Sequence, residues 1–575
     1  RKLFGNEKRL PIFVEYYECL CNVLIENRCF AGLRCFISEN IMAPITIYRQ
    51  DALFDLIKNL SKAEKRNFKL YATRQAGYAD AKFIVLFDVL DSMDEYDEQK
   101  ILKHCPVKKS QLPNMKAHLY RQILVSSRLI NVQHNLTMQL REQIDFARIL
   151  YDKGLYRQSL KLLDKAKKAA LSAEQSTIAL EIVEIEKDIE TLHITRSGIT
   201  RAEQLSSQTT ELCTLIDNTN QLSNISIQLY GLYLKLGYVR SERDLDLVIK
   251  FFKHKLDNYD VRTLSFMEKL HLYQAMMWYA YIRHDFVSCF KYSAKVIALF
   301  DEHPRMRPIY YDQYLKGYSR YLETLFLTRN YERLAATTKY YEKVVIKEMS
   351  ELNDHAIILS HLALYFHKIN VHFMEGTFKE GIELIPKIEA FLKKYNSNID
   401  MHYKLLFYYK IACLYFGDAQ YIECIDYLQR IINTRDTNVR RDLQCFARIL
   451  NLIAAYESTQ DYNLDYQIRS VYSFIVKMND MHAVLKEIIA FLKRLNRIYA
   501  SDIQAELQVL YKKMLPYESH PYERRPFFYL DIISWLESKI RGVTVAEVIQ
   551  EKFRRSLERH KMKKNAVKDV LPVTE

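Results

Sequence analysis

Glycine and proline are scarce in this chain: its 575 residues hold 12 Gly and 11 Pro. So few turn formers exclude a fold of many short strands and favour long helices. The phosphate-cradling loops are missing too, because a GxGxxG or Walker loop needs glycine where backbone N–H groups turn toward the anion. The nearest approach, Gly376 with Gly381, has the Walker spacing but is followed by Ile382 instead of lysine. No stretch approaches 18 uncharged apolar residues, which excludes a transmembrane helix and a membrane partner of that kind. No H-E-x-x-H occurs, and the spacing of His361, His367 and His372 does not place them on one helical face. There is no nucleophile elbow and no cysteine in an activating context. The expectation is a protein without catalytic residues, cofactor or metal, and not an enzyme.

What is abundant is aromatic and apolar. Apolar residues make up 49% of the chain, and Tyr alone numbers 42 against 28 Phe and 2 Trp. Tyrosine suits helix–helix seams that reach solvent, since the ring packs while the hydroxyl stays wet. The net charge of +14 speaks to solubility and attraction of anions rather than to fold. Cys105, Cys213, Cys289, Cys413, Cys424 and Cys445 are scattered at helical core positions, as reduced thiols of a cytoplasmic protein would be. Cys19, Cys21, Cys29 and Cys35 crowd together, but their spacing fits no common structural zinc site.

Eight marks set the organisation, at intervals of roughly 40 to 48 residues, a period typical of stacked helical repeats. Each is a small or turn-forming residue followed by an aromatic or apolar one. They are Gly154-Leu155-Tyr156, Gly198-Ile199, Gly237-Tyr238, Asp285-Phe286, Asn330-Tyr331, Gly376-Thr377-Phe378, Gln420-Tyr421 and Asp461-Tyr462. In the first unit Phe146, Ala147, Leu150, Tyr151, Gly154, Tyr156, Ser159, Leu163 and Ala166 put small residues where paired helices touch and an aromatic after the turn. This resembles a tetratricopeptide repeat (TPR). Ala412, Tyr415, Tyr421, Cys424, Leu428 and Ile431 repeat the pattern, as do Ile453, Tyr456, Tyr462, Asp465 and Tyr472. The resemblance implies an all-α fold, a right-handed α-solenoid of TPR-like hairpins. The period exceeds the roughly 34 residues of a tetratricopeptide unit, so longer helices and an altered pitch are expected.

Four segments follow from these readings. Residues 1–41 are an N-terminal extension, with two competing expectations: native translation starting at Met42, or a genuine helical extension. Residues 42–132 form a small domain of helix-turn-helix size with four helices, one opened by a Ser61/Glu64 capping box and one by Pro113. Residues 133–515 form the TPR-like solenoid of about eight hairpins. Residues 516–575 supply capping helices and a basic tail, after Pro516, Pro521 and Pro526 break the helical rhythm.

The sequences LFDLIKNLSKAEKRNFKLYA at 53–72, LFDVLD at 86–91 and ISWLESKI at 533–540 resemble an uncharacterised group of helical-repeat proteins from Bacteroidetes-type bacteria. That resemblance implies a bacterial, cytoplasmic protein and brings no activity with it. The leading functional expectation is a scaffold that holds a protein or peptide ligand in the solenoid groove.

One charge feature suggests an alternative. Between Glu98 and Glu142 there is no acidic residue, while Lys108, Lys109, Lys116, Arg121 and Arg128 are present. One-sided charge of this kind suits a nucleic-acid backbone, so residues 100–128 are the candidate nucleic-acid site of a peptide- or protein-responsive DNA-binding regulator. In domain order this resembles known peptide-responsive regulators. The competing expectation is that the basic stretch pairs with the acidic run from Asp88 to Glu98.

Overall fold

A computed structural model describes residues 51–75, 81–192, 199–236, 239, 242–256, 259–350, 353–434, 440–458, 464–478, 483–495, 499–520 and 531–570. The N-terminal extension with its four cysteines, and the marks at Gly198, Gly237-Tyr238 and Asp461-Tyr462, lie outside the described residues. About 85% of the described residues are helical, and no strand occurs among them. The fold is all-α, and it divides into two units, residues 1–128 and 129–575.

The first unit holds five helices among its described residues, not the four expected: Ala52–Asn59, Lys62–Gln75, Ala81–Ser92, Glu98–His104 and Leu112–Asn131, the last running into the second unit. The additional one, Glu98–His104, follows the acidic run. Asp97 caps it by accepting from the Gln99 and Lys100 N–H groups, so the acidic run starts a helix. Ser61 and Glu64 form the expected reciprocal cap, with the Ser61 N–H donating to Glu64 Oε2 at 2.8 Å. Leu53, Phe54, Ile57, Phe68, Leu86, Phe87, Leu90, Leu119 and Ile123 make one core.

The second unit consists of helical hairpins with repeat-like packing. Its clearest pairs are Leu136–Asp152 with Tyr156–Ser172, Phe266–Ile282 with Phe286–Glu302, Tyr311–Leu327 with Tyr331–Tyr340, and Met401–Gly417 with Tyr421–Ile432. In the remaining clear hairpin, Asp354–Glu375 is followed by Phe378–Ile382 and Ile385–Lys394.

Five sequence marks turn out to be one backbone device. In each, one residue takes the left-handed conformation: Gly154 at φ 74, His284 at 59, Arg329 at 54, Gly376 at 73 and Ala419 at 58. The next residue donates its N–H to a carbonyl five back, Leu155 to Leu150 (2.9 Å), Asp285 to Ala280 (3.0 Å), Asn330 to Leu325 (2.9 Å), Thr377 to His372 (3.2 Å) and Gln420 to Tyr415 (2.9 Å). This is the Schellman closure of a helix C-terminus. The new helix then opens on the aromatic, which in four of the five packs against a ring five residues earlier. The ring pairs are Tyr151–Tyr156 (5.5 Å), Tyr281–Phe286 (6.0 Å), Phe373–Phe378 (6.3 Å) and Phe416–Tyr421 (5.6 Å). Turn and aromatic therefore act together: the closure reverses the chain and the ring pair fixes the return angle.

Three residues after each aromatic stands a buried position: Ser159, Cys289, Leu334, Gly381 and Cys424. Where it is polar it reaches back to the first helix, Ser159 Oγ donating to the Ala147 carbonyl (2.7 Å) and Cys289 Sγ to that of Met277 (3.6 Å). Four of the six described cysteines are buried, but Cys213 is exposed rather than in the core.

The periodicity fails in two places. The span between the marks at Gly198 and Gly237 is no hairpin but one continuous helix, Ile199–Leu236. It contains no proline and a single glycine, Gly231, so nothing in it stops a helix. Conversely, a turn without a mark joins Tyr156–Ser172 to Ser176–Leu192, because Glu174 takes the left-handed conformation (φ 52) in place of glycine.

Pro516 does not break its helix, which runs from Ile503 to Ser519. In the final turn the loss of one N–H and the clash with the preceding carbonyl affect only a few remaining bonds. The last of the described helices, Val545–Val570, opens on a Thr544/Glu547 capping box. It then lies against a turn in the middle of the unit: Gln550 donates to the Gly376 carbonyl (3.1 Å), and Phe553 meets Tyr331 edge-on at 4.5 Å.

Candidate binding face

Because four successive hairpins reverse through the same closure, at His284, Arg329, Gly376 and Ala419, side chains of their first helices meet at corresponding heights. Gln274 donates to Gln313 (2.8 Å), and Tyr281 donates its hydroxyl to Glu323 Oε1 (2.9 Å). Ser319 lies 3.4 Å from His367, and Lys410 donates to Asn370 Oδ1 (2.5 Å). These contacts make a polar ladder across the helices Phe266–Ile282, Tyr311–Leu327, Asp354–Glu375 and Met401–Gly417.

Its centre is Arg320. The guanidinium stacks over Trp278 at 4.7 Å and pairs with Glu323 at 2.6 Å. Tyr233, from the long helix Ile199–Leu236, packs on Trp278 (5.3 Å) and edge-on to Tyr281 (5.2 Å). It stands within electrostatic reach of Arg320, Glu323, Arg440 and Asp442, so helices far apart in sequence converge here. The cluster is surrounded yet wet: 32% of the Arg320 side chain and 21% of Glu323 remain accessible. Their attraction is thus partly screened by water.

Burial pushes the Glu323 carboxyl up, but the Arg320 guanidinium and the bonds from Arg320 and Tyr281 outweigh it and hold the group below its ordinary value. Burial pulls His367 down to about 3 and His402 down to about 4, so both are neutral at physiological pH. Burial also lowers Lys410, to about 8. The rings of Phe366 (4.3 Å), Phe373 (5.0 Å) and Phe326 (5.5 Å) surround that ammonium and favour its charged form. A stacked arginine, two phenols and an indole in one half-open cluster are equipped for recognition, with apolar surface and directed donors side by side.

The basic residues singled out in the sequence stand elsewhere, in the first unit. Lys108 and Lys109 are exposed just before the helix Leu112–Asn131, and Arg121 and Arg128 are exposed along it. Lys116 is engaged: its ammonium pairs with Asp51, donates to the Tyr96 hydroxyl at 2.9 Å and stands over that ring. Burial opposes the charge on Lys116, but the Asp51 and Tyr96 bonds prevail and raise its pKa. The acidic run finds its partners mainly on another helix. Lys65 pairs with Asp91 and Lys69 with Asp88, both at 2.6 Å, whereas from the basic stretch Lys100 comes within 4.0 Å of Asp97. Among the described residues no cluster of His, Cys, Asp or Glu could hold a metal ion, and no helix is long and apolar enough to cross a membrane.

Compared with known proteins, the chain matches no family model, no curated protein and no solved structure. The Trp278–Arg320–Glu323 cluster was not singled out in the sequence, because Trp278 stands a whole repeat away from Arg320 and Glu323. The usable signal was the recurrence of aromatic and charged residues at one height of successive first helices.

Proposed function

We propose that this chain is a non-enzymatic, cytoplasmic scaffold that binds a protein or peptide. In this reading the hairpins continue as a right-handed, TPR-like solenoid, and its first helices form the concave binding face. One observation carries it: Trp278, Tyr281 and Tyr403, from two first helices, gather around Arg320 of a third while that side chain keeps contact with water. Tryptophan, tyrosine and arginine in a partly desolvated cluster are the residues that dominate protein interfaces. The test is capture of partners by the purified chain beside its Arg320→Ala and Trp278→Ala variants, with affinities measured for each partner found. Loss of at least about ten-fold in both variants is the expected result. Equal capture by all three proteins would place binding elsewhere, and turnover of a small substrate by the purified protein would count against a scaffold.

A second reading, a DNA-binding regulator, rests on the exposure of Lys108, Lys109 and Arg121. It requires a duplex DNA shift that weakens steeply with salt and in a Lys108→Glu/Arg121→Glu variant. No shift at low salt removes it.

A further inference from the structure

A cleft of about 410 Å³ lies on a different set of surfaces, between the helix Phe286–Glu302 and the next hairpin. Ala294 and Ala298 line one side of it, and Tyr318, Tyr321 and Tyr340 line the other. Its volume is at the lower end of the range for small-molecule sites. Asp301 is the one charged residue in the lining, and neither lysine nor arginine contributes to it, although the chain as a whole carries +14.

Two features leave these groups available to a ligand. Asp301 takes one bond from Arg307, to Oδ1 at 2.5 Å, and half of its side chain remains open to water. A carboxylate has about four acceptor positions, so a second donor is accommodated. Tyr340 is the last residue before a π-helical segment, Tyr341–Val345. Tyr341 is fully buried and donates to the Ser360 carbonyl at 3.3 Å, while Tyr340 stays 43% exposed beside the cleft. A widened helical turn of this kind is frequent at functional sites.

We propose that this cleft binds a small organic cation of the alkylammonium class, its charged head at Asp301 and its alkyl groups against the phenol rings. A ring face attracts a cation, and several rings beside one carboxylate favour a bulky ammonium with charge spread over its methyl groups. The site is independent of the peptide-binding reading, and the failure of either leaves the other standing.

The experiment compares choline with 3,3-dimethylbutan-1-ol, its neutral isostere, by titration calorimetry on the full chain. Choline binds at least about ten-fold more tightly if the charge is what the cleft recognises. Tyr340→Ala and Asp301→Asn each weaken choline at least about three-fold with melting temperatures otherwise kept. Tyr340 is exposed, so that variant still reports if Asp301→Asn disturbs Arg307 and fails to fold. Equal affinity for the two probes, choline binding unchanged in a folded Tyr340→Ala variant, or no choline binding at about 50 mM would overturn the proposal.

Discussion

Both units pair cations with carboxylates and set cations over rings, but among the described residues the rings of the first meet lysines and those of the second meet arginines as well. In the first, lysines meet carboxylates: Lys65 with Asp91, Lys69 with Asp88 and Lys116 with Asp51, across a small apolar core. In the second, cations lie over rings between hairpins and within them. Arg320 stands over Trp278 (4.7 Å), Lys410 over Phe366 (4.3 Å), Arg430 over Tyr427 (4.2 Å) and Arg448 over Phe474 (3.7 Å). An ion pair weakens with salt, whereas a ring contact works through packing and quadrupole and depends on salt much less. The aromatic wealth of the sequence thus serves two ends, closing the hairpin turns and lodging the cations between them.

The largest expected difference between the units is their response to acid. His367 and His402 titrate far below the ordinary histidine value in the folded state, so between pH 6.5 and about 4 the unfolded chain binds more protons. Stability of the second unit therefore falls as pH drops below 6.5. Each histidine contributes up to about 1.4 kcal/mol per pH unit in this window. Urea melts at a series of pH values measure the slope, and His402→Gln reduces it. An identical slope in that variant would remove His402 from this account.

Next in size is an overpacking effect confined to the hairpins. A β-carbon on Gly417 would sit 2.5 Å from the Phe378 ring, so Gly417→Ala costs about 1–3 kcal/mol. Thermal denaturation reads it, with Gly231→Ala as the control, where space is open and the change stabilises its helix by up to about 1 kcal/mol.

Lys116→Met tests the ion-pairing side of the comparison. Asp51 also caps the first helix through the Leu53 and Phe54 N–H groups, so it keeps those bonds when the ammonium is removed. A loss of about 1 kcal/mol is expected, smaller at high salt. Lys410→Met, which keeps the ring contacts without the charge, should show no such salt dependence.

The smallest effect has the opposite sign. Ala419 holds a left-handed conformation that glycine adopts freely, so Ala419→Gly stabilises its turn by up to about 1 kcal/mol. A lower melting point would mean that the Ala419 methyl contributes more than its backbone conformation costs.

Much of the fold was legible because its turns carry their own signal. A helix-closing residue followed by an aromatic states both the reversal and the seam, and five of the marks became the same closure. The exceptions have definite causes. Glu174 took a left-handed conformation that its side chain does not advertise, and the chain from Ile199 to Leu236 offered no breaker where the period called for a turn. The helix Glu98–His104 was hidden because acidic residues suit a helix start as well as a loop. The candidate binding face was far less legible. Arg320, Trp278 and Lys410 become neighbours only through stacking, and stacking height is not written in any one stretch of sequence.

The contact between the last helix and the Gly376 turn bears on the order of synthesis. Gln550 and Phe553 emerge from the ribosome long after the hairpins they hold, yet they supply a hydrogen bond to Gly376 and a ring contact to Tyr331. A nascent chain ending before this helix has its middle turns formed but one of their faces open. Completion of the centre of the molecule thus waits on translation of this later helix.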